Sequence, residues 1–294
     1  MLSARVIALL VAGATGFAPA QNSFRISVNV DLVVLNVTVR DAEGRFVADL
    51  RGQDFEIREG GALQSIRLFR HEDIPVIAGL VVDHSGSMRR KLPHVIAAVR
   101  AFVQSSRPDD EMFVVNFNET AVLVRSDRPE ELAAAISNIP ADGQTALYDA
   151  IITAQERLQS SRGEKKVLFI ISDGGDNASA HNLAEVLKTA GLSSTMVYTI
   201  GIFDDEDADR NPAVLTRLAV ETGGEAFFPT GVDEVVSICE RVARDIRNQY
   251  TLGYVPTNPA KSGQYRRIQV AATSATHPKL FVRTRSGYIG GGGK

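Results

Sequence analysis

Cysteine is nearly missing from this 294-residue chain: Cys239 is its one example. An internal disulfide is therefore impossible, and no zinc-finger or iron–sulfur ligand set exists. Neither sign of charge prevails, with 32 Lys and Arg against 35 Asp and Glu, a formal net charge of −3. That balance excludes a nucleic-acid binder working through a basic footprint and a polybasic membrane-surface protein. Enzyme signatures are missing too: no Gly-x-Ser-x-Gly elbow, Ser-x-x-Lys, His-Glu-x-x-His or Gly-Lys-Ser/Thr phosphate loop occurs. No internal repeat of 20 to 50 residues is visible. Beyond the N-terminal segment no apolar run approaches the roughly 20 residues a transmembrane helix needs. What the chain does have is 44% hydrophobic and 23% charged residues, the composition of a folded protein with a sizeable core.

The N-terminus carries Arg5, a short apolar run from Val6 to Ala12, and Ala18-Pro19-Ala20. These are the three parts of a secretory signal, so residues 1–20 are expected to be cleaved, leaving a protein exported to the periplasm or the exterior. A helix packed on the fold is the alternative. No cysteine follows at which a lipid could be attached.

Three blocks follow. Residues 21–73 alternate with period two (Val28, Val30, Leu32, Val34; Phe55, Ile57; Ile66, Leu68) between turns at Asp41–Gly44 and Glu59–Gly61, which reads as short antiparallel strands. Residues 74–248 change to apolar strands alternating with helices. The expected strands are 76–82, 112–117, 120–125, 167–172, 195–200 and 226–228, and the expected helices begin near 92, 130, 145, 183, 212 and 233. That alternation predicts an α/β domain, doubly wound around a mostly parallel sheet. Residues 249–289 return to alternating strands, while 290–294 read as a flexible tail. The two β blocks are each too small for a good core alone, so they are expected to pair into one all-β, sandwich-like domain with the α/β domain inserted between them.

The first strand of the α/β block ends Asp83-His84-Ser85-Gly86-Ser87. An Asp and two hydroxyls alternating along one turn can converge on one point, and hard oxygen donors suit Mg²⁺, Mn²⁺ or Ca²⁺. Alone, the same run is also a good loop and helix cap. Two further segments join it: Asp142-Gly143-Gln144-Thr145 before a helix, and Ser172-Asp173-Gly174-Gly175 after a strand. Loops after the carboxyl ends of neighbouring parallel strands meet at one rim. Asp83, Ser85, Ser87, Thr145 and Asp173 are thus expected together.

Here the sequence resembles the von Willebrand factor A domain family, whose metal-ion-dependent adhesion site has Asp-x-Ser-x-Ser, Thr and Asp in this order. The resemblance covers residues 74–248, and a looser one to bacterial secreted proteins of this type extends to the flanking β segments. It implies that Asp83, Ser85 and Ser87 ligate a divalent cation, with Thr145 and Asp173 doing so directly or through water. One position is left for a partner's Asp or Glu. His84 would then be a variable position pointing outwards. Integrin-type members have further acidic residues after the motif; here Met88, Arg89, Arg90 and Lys91 stand there, so a second, adjacent cation is not expected. Those residues read as a solvated helix start, or as basic groups drawing in an acidic ligand.

Other features carry less. The run Asp204–Asp209 fails the EF-hand pattern, because Arg210 and Thr216 stand where Gly and Glu are needed, and reads as an acidic loop. His71, His94, His181 and His277 lack metal spacing. Cys239 shares a helix face with Val235, Val236 and Val242, the setting of a buried inert thiol. The expectation is a secreted, non-enzymatic module that binds an acidic partner through one Mg²⁺, Mn²⁺ or Ca²⁺ ion. The alternative is a metal-independent structural or assembly protein of the cell envelope.

Overall fold

The computed structural model describes residues 32–125, 129–204, 209–258 and 263–290. The expected signal segment, the strand expected before residue 32, most of the acidic loop and the expected tail beyond Gly290 lie outside the described residues.

In chain order the elements begin with β1 (Val33–Arg40), β2 (Phe55–Glu59), β3 (Ala62–Gln64) and β4 (Ile66–Arg70). The α/β part runs β5 (Val76–Asp83), α1 (Leu92–Gln104), β6 (Glu111–Phe117), β7 (Ala121–Arg125), α2 (Pro129–Ser137) and α3 (Leu147–Gln159). It continues with β8 (Lys165–Ser172), α4 (Leu183–Leu192), β9 (Met196–Gly201), α5 (Pro212–Thr222), β10 (Ala226–Phe227) and α6 (Val232–Arg247). The chain closes with β11 (Tyr250–Tyr254), β12 (Tyr265–Ala272), β13 (Phe281–Arg283) and β14 (Gly287–Ile289).

The central sheet has the order β10-β9-β8-β5-β6-β7 and is parallel except for β7, which returns from β6 as a hairpin. All eight residues of β5 are buried, because helices cover both faces of the sheet. Val95, Val99 and Phe102 of α1 pack with Val235 and Cys239 of α6 on one face, and Leu147 and Ile151 of α3 with Leu215 and Leu218 of α5 on the other. From β5 the chain winds outward through β6 and β7, then crosses to β8 on the opposite side. The strand order therefore reverses between β5 and β8, and in open parallel sheets ligands bind outside the carboxyl ends of the strands at such a point.

The two β blocks interleave. One antiparallel sheet has the order β13-β1-β11-β4 and the other β14-β12-β2-β3, so each contains strands from both ends of the chain. Leu35, Val37, Ile57, Tyr250, Leu252, Tyr254 and Ile268 form their shared core. The described residues make one compact unit. Its two parts are joined by buried polar contacts: Asp245 on α6 accepts from Thr38 Oγ1 of β1 at 2.9 Å, from Tyr198 OH of β9 at 2.7 Å, and from Arg283 of β13.

Candidate functional site

Asp83 is the last residue of β5 and is fully buried. The parallel register pairs Val82 with Ile171, which sets Asp83 beside the end of β8. There Ser172 Oγ donates to Asp83 Oδ2 at 2.6 Å, and the Ser85 amide donates to Oδ1 at 2.8 Å. After an extended Ser85, a single 3-10 turn over Gly86–Met88 folds Ser87 back, leaving the Ser85 and Ser87 hydroxyls 3.2 Å apart. Ser87 Oγ donates to Asp173 Oδ2 at 2.6 Å, and the Gly175 amide donates to Asp173 Oδ1 at 3.1 Å. Asp83, Ser85, Ser87 and Asp173 thus form one connected cluster, of which only Ser87 is exposed.

The loop before α3 is laced to this cluster through its backbone. Asp142 N–H donates to His84 O at 2.9 Å and Gly86 N–H to Gly143 O at 3.0 Å. Gly143 has φ +81°, and a Cβ there would stand 2.8 Å from Glu119 Oε1, so the turn needs glycine. Thr145 is buried; its amide donates to Asn177 Oδ1 at 2.8 Å and its carbonyl accepts from the Asn177 amide at 2.9 Å. The structure places Thr145 at the same rim, but its hydroxyl makes no hydrogen bond to the other four residues.

Two buried carboxylates share this space. Burial, and next the charge of Asp173, push the Asp83 carboxyl up from 3.8 to about 6, against the hydrogen bonds from Ser172 and Ser85. A positive group already faces them: Lys91 Nζ lies 3.1 Å from Asp173 Oδ2, with Lys91 only 2% exposed. The expected solvated helix start is corrected here. Arg89 and Arg90 are exposed, whereas Met88 and Lys91 are buried. His84 is also corrected. It does not point outwards but is 1% exposed, with its ring nitrogens 3.4 Å from Val82 O and 3.2 Å from Ile136 O, and burial lowers its pKa.

Ser172 and Asn177 are the contributors that the motif reading passed over, and Lys91 is the one it assigned to a solvated helix start. Lys91 had a signal, since it precedes Val95, Val99 and Phe102 on the apolar stripe of α1 at helical spacing. Asn177 had none. Cys239 is buried, with Sγ 3.3 Å from Ala98 O; burial pushes its thiol up to about 12, far from a nucleophile.

The donor atoms offered are carboxylate and hydroxyl oxygens. Among the described residues no three His, Cys, Asp or Glu side chains gather into a metal-binding group. This set has two carboxylates, with hydroxyls supplying the rest. Hard oxygen donors around unneutralised negative charge fit a hard divalent cation better than zinc. Among the described residues no helix is long and apolar enough to cross a membrane.

Residues 79–175 match the family model described as von Willebrand factor type A domain, a span that contains all five motif positions. No curated protein matches the chain. Among solved structures, the von Willebrand factor type A protein from Catenulispora acidiphila is similar at 14% identity and TM-score 0.52, covering 90% of this chain and 75% of that one. The conserved hypothetical protein BatB from Bacteroides thetaiotaomicron is similar at 15% identity and TM-score 0.50, covering 58% of this chain and 98% of that one. The vWF domain of the type V pili tip protein Mfa5 from Porphyromonas gingivalis is similar at 13% identity and TM-score 0.51, covering 59% and 95%. At these identities the likeness is one of fold.

Proposed function

We propose that the chain is an exported protein-binding module of adhesion or assembly type. In this reading it holds one Mg²⁺, Mn²⁺ or Ca²⁺ ion at the carboxyl rim between β5 and β8, through Asp83, Ser85, Ser87, Thr145 and Asp173. When bound, the ion supplies an open coordination position for a partner's Asp or Glu. Asp83 is held in place by Ser172 and by the Ser85 amide, and Asp173 by the Gly175 amide. Ser87 is the hydroxyl open to solvent and marks the side from which a partner approaches.

The observation that carries this reading is the convergence of two buried carboxylates and two serine hydroxyls at the carboxyl rim where the strand order reverses. The likeness to a pilus tip domain supports the adhesion class. The test is calorimetry of the chain against Mg²⁺, Mn²⁺ and Ca²⁺ beside Asp83→Ala. Saturable one-site binding that the substitution abolishes is expected; equal binding by the variant would overturn the assignment. A second reading, a metal-independent scaffold of the cell envelope, is favoured by one observation: Lys91 already counters Asp173. Absence of binding to any of the three ions, with or without acetate, would select it.

A further inference from the structure

Lys91 stands where helix electrostatics disfavour it. It is the N-cap of α1, at the positive end of the helix dipole, and its side chain makes no capping bond. It is 2% exposed, and burying an ammonium is costly unless a counter-charge accompanies it. Its Nζ is 3.1 Å from Asp173 Oδ2, the same oxygen that accepts from Ser87. Arg89 does not share this position: it is exposed, with Nη2 3.5 Å from Asp142 Oδ1.

The consequence follows from charge. Among these three side chains Asp83 and Asp173 bring two negative charges and Lys91 one positive, a sum of one negative. A divalent cation would turn that into one net positive, and an incoming carboxylate would bring it to zero. Without the lysine, the cation alone would reach zero and the carboxylate would add an unbalanced negative charge. Resting on the functional reading above, we propose that Lys91 couples the two ligands: it weakens the hold of the site on a divalent cation alone and strengthens the hold of the cation-loaded site on a partner carboxylate. Lys91 is a positioning and specificity residue here, acting on the charge of the site rather than ligating. Because linkage is reciprocal, the carboxylate tightens the cation by the same factor as the cation tightens the carboxylate.

The experiment titrates the full chain with Mn²⁺ by calorimetry, in sodium chloride and in sodium acetate of equal ionic strength, for the wild type, Lys91→Met and Lys91→Gln. Broadening of the Mn²⁺ electron paramagnetic resonance signal gives a second readout, and circular dichroism confirms folding; the Gln variant retains a polar end should Met disturb the site. The wild type is expected to bind Mn²⁺ more tightly in acetate. Both variants should bind Mn²⁺ about tenfold or more tightly in chloride, because a unit charge a few ångströms away is removed. In both, the gain from acetate should shrink towards none. Unchanged or weaker Mn²⁺ binding in folded variants, with the acetate gain intact, would overturn the coupling role while leaving the metal site standing. Failure of the wild type to bind Mn²⁺ in either salt would overturn the metal site itself and the coupling with it.

Discussion

The two ends of the central sheet handle buried charge in opposite ways. At the root, where the strands begin, Lys165 is the first residue of β8, is 2% exposed, and donates to Ile246 O at 2.8 Å in the last turn of α6. That is the negative end of a helix, where a cation is welcome. Around it the charges are matched: Arg247 pairs with Asp110 and Asp73, and Arg283 with Asp245 and Glu225. At the rim, two carboxylates are buried together with Lys91, which is set against the dipole of its own helix. Apart from the desolvated Lys165, the root sets each buried charge against an opposite one. The rim keeps like charges together, a cost in stability that the proposed binding task would explain. Substitutions at the root should therefore cost stability, and substitutions at the rim should cost binding instead.

Asp245→Ala is the severest way to test the root. The carboxylate is 1% exposed and takes Thr38, Tyr198 and Arg283 at once, tying α6 and β9 to both β1 and β13. Removing it leaves Arg283 without one of its two acidic partners, and breaking such a buried pair costs about 3–5 kcal/mol. Urea denaturation is expected to show that loss with cation affinity unchanged in the folded protein. A loss below about 1 kcal/mol would erase the distinction between the ends.

Lys165 gives the next largest effect, through pH. Burial lowers its pKa from 10.5 to about 8. Between those values the unfolded chain holds the proton and the folded chain does not, so stability rises with pH through this window, by about 3 kcal/mol at most. Cys239 opposes the trend, since a thiol raised to about 12 makes stability fall once pH passes 9, its value when unfolded. The clean measurement is the difference between the wild type and Lys165→Met from pH 8 to 9.5. The wild type should gain on the variant as pH rises; parallel curves would contradict a lysine whose charge is penalised by burial.

At the rim the sign should reverse. Asp83 is raised to about 6 by burial and by Asp173, so its ionised form destabilises the fold above that pH. In chelator at pH 8, Asp83→Asn is expected to raise stability by about 1–2 kcal/mol, while calorimetry finds no cation binding. A variant that loses both would place Asp83 with the structural charges of the root.

Much of this was legible in residues and some was not. The unbroken apolar run of β5 announced a strand covered on both faces, and Asp83, Ser85, Ser87 and Asp173, though 90 positions apart at the extremes, follow from parallel strands ending at one rim. Lys91 reads as solvated because a charged residue at a helix start is so by default, although its spacing to Val95, Val99 and Phe102 puts it on the buried stripe, where its Nζ meets Asp173. His84 was read as outward from its place in a surface motif, yet its ring fits between Val82 O and Ile136 O. The interleaving of the two β sheets was also beyond period-two reading. The strands β3, β13 and β14 have three residues each, too few to show a period, and the pairing of β1 with both β11 and β13 depends on how the α/β part holds the chain ends together.

The smallest effect supplies the control for the whole contrast. Arg217 and Glu221 form an ion pair one turn apart on α5, with side chains 57% and 37% exposed. Water screens such a pair and two long side chains lose freedom to hold it, so Arg217→Ala should cost less than about 0.5 kcal/mol. If that exposed pair proved as costly as Asp245, burial would not be what separates strong charge effects from weak ones in this protein. The opposed behaviour of root and rim would then need another cause. If it is as weak as expected, the same chemical pair spans the range from negligible to fold-breaking according to where the fold buries it, and two carboxylates buried together at the rim remain a cost that the paired charges of the root do not carry.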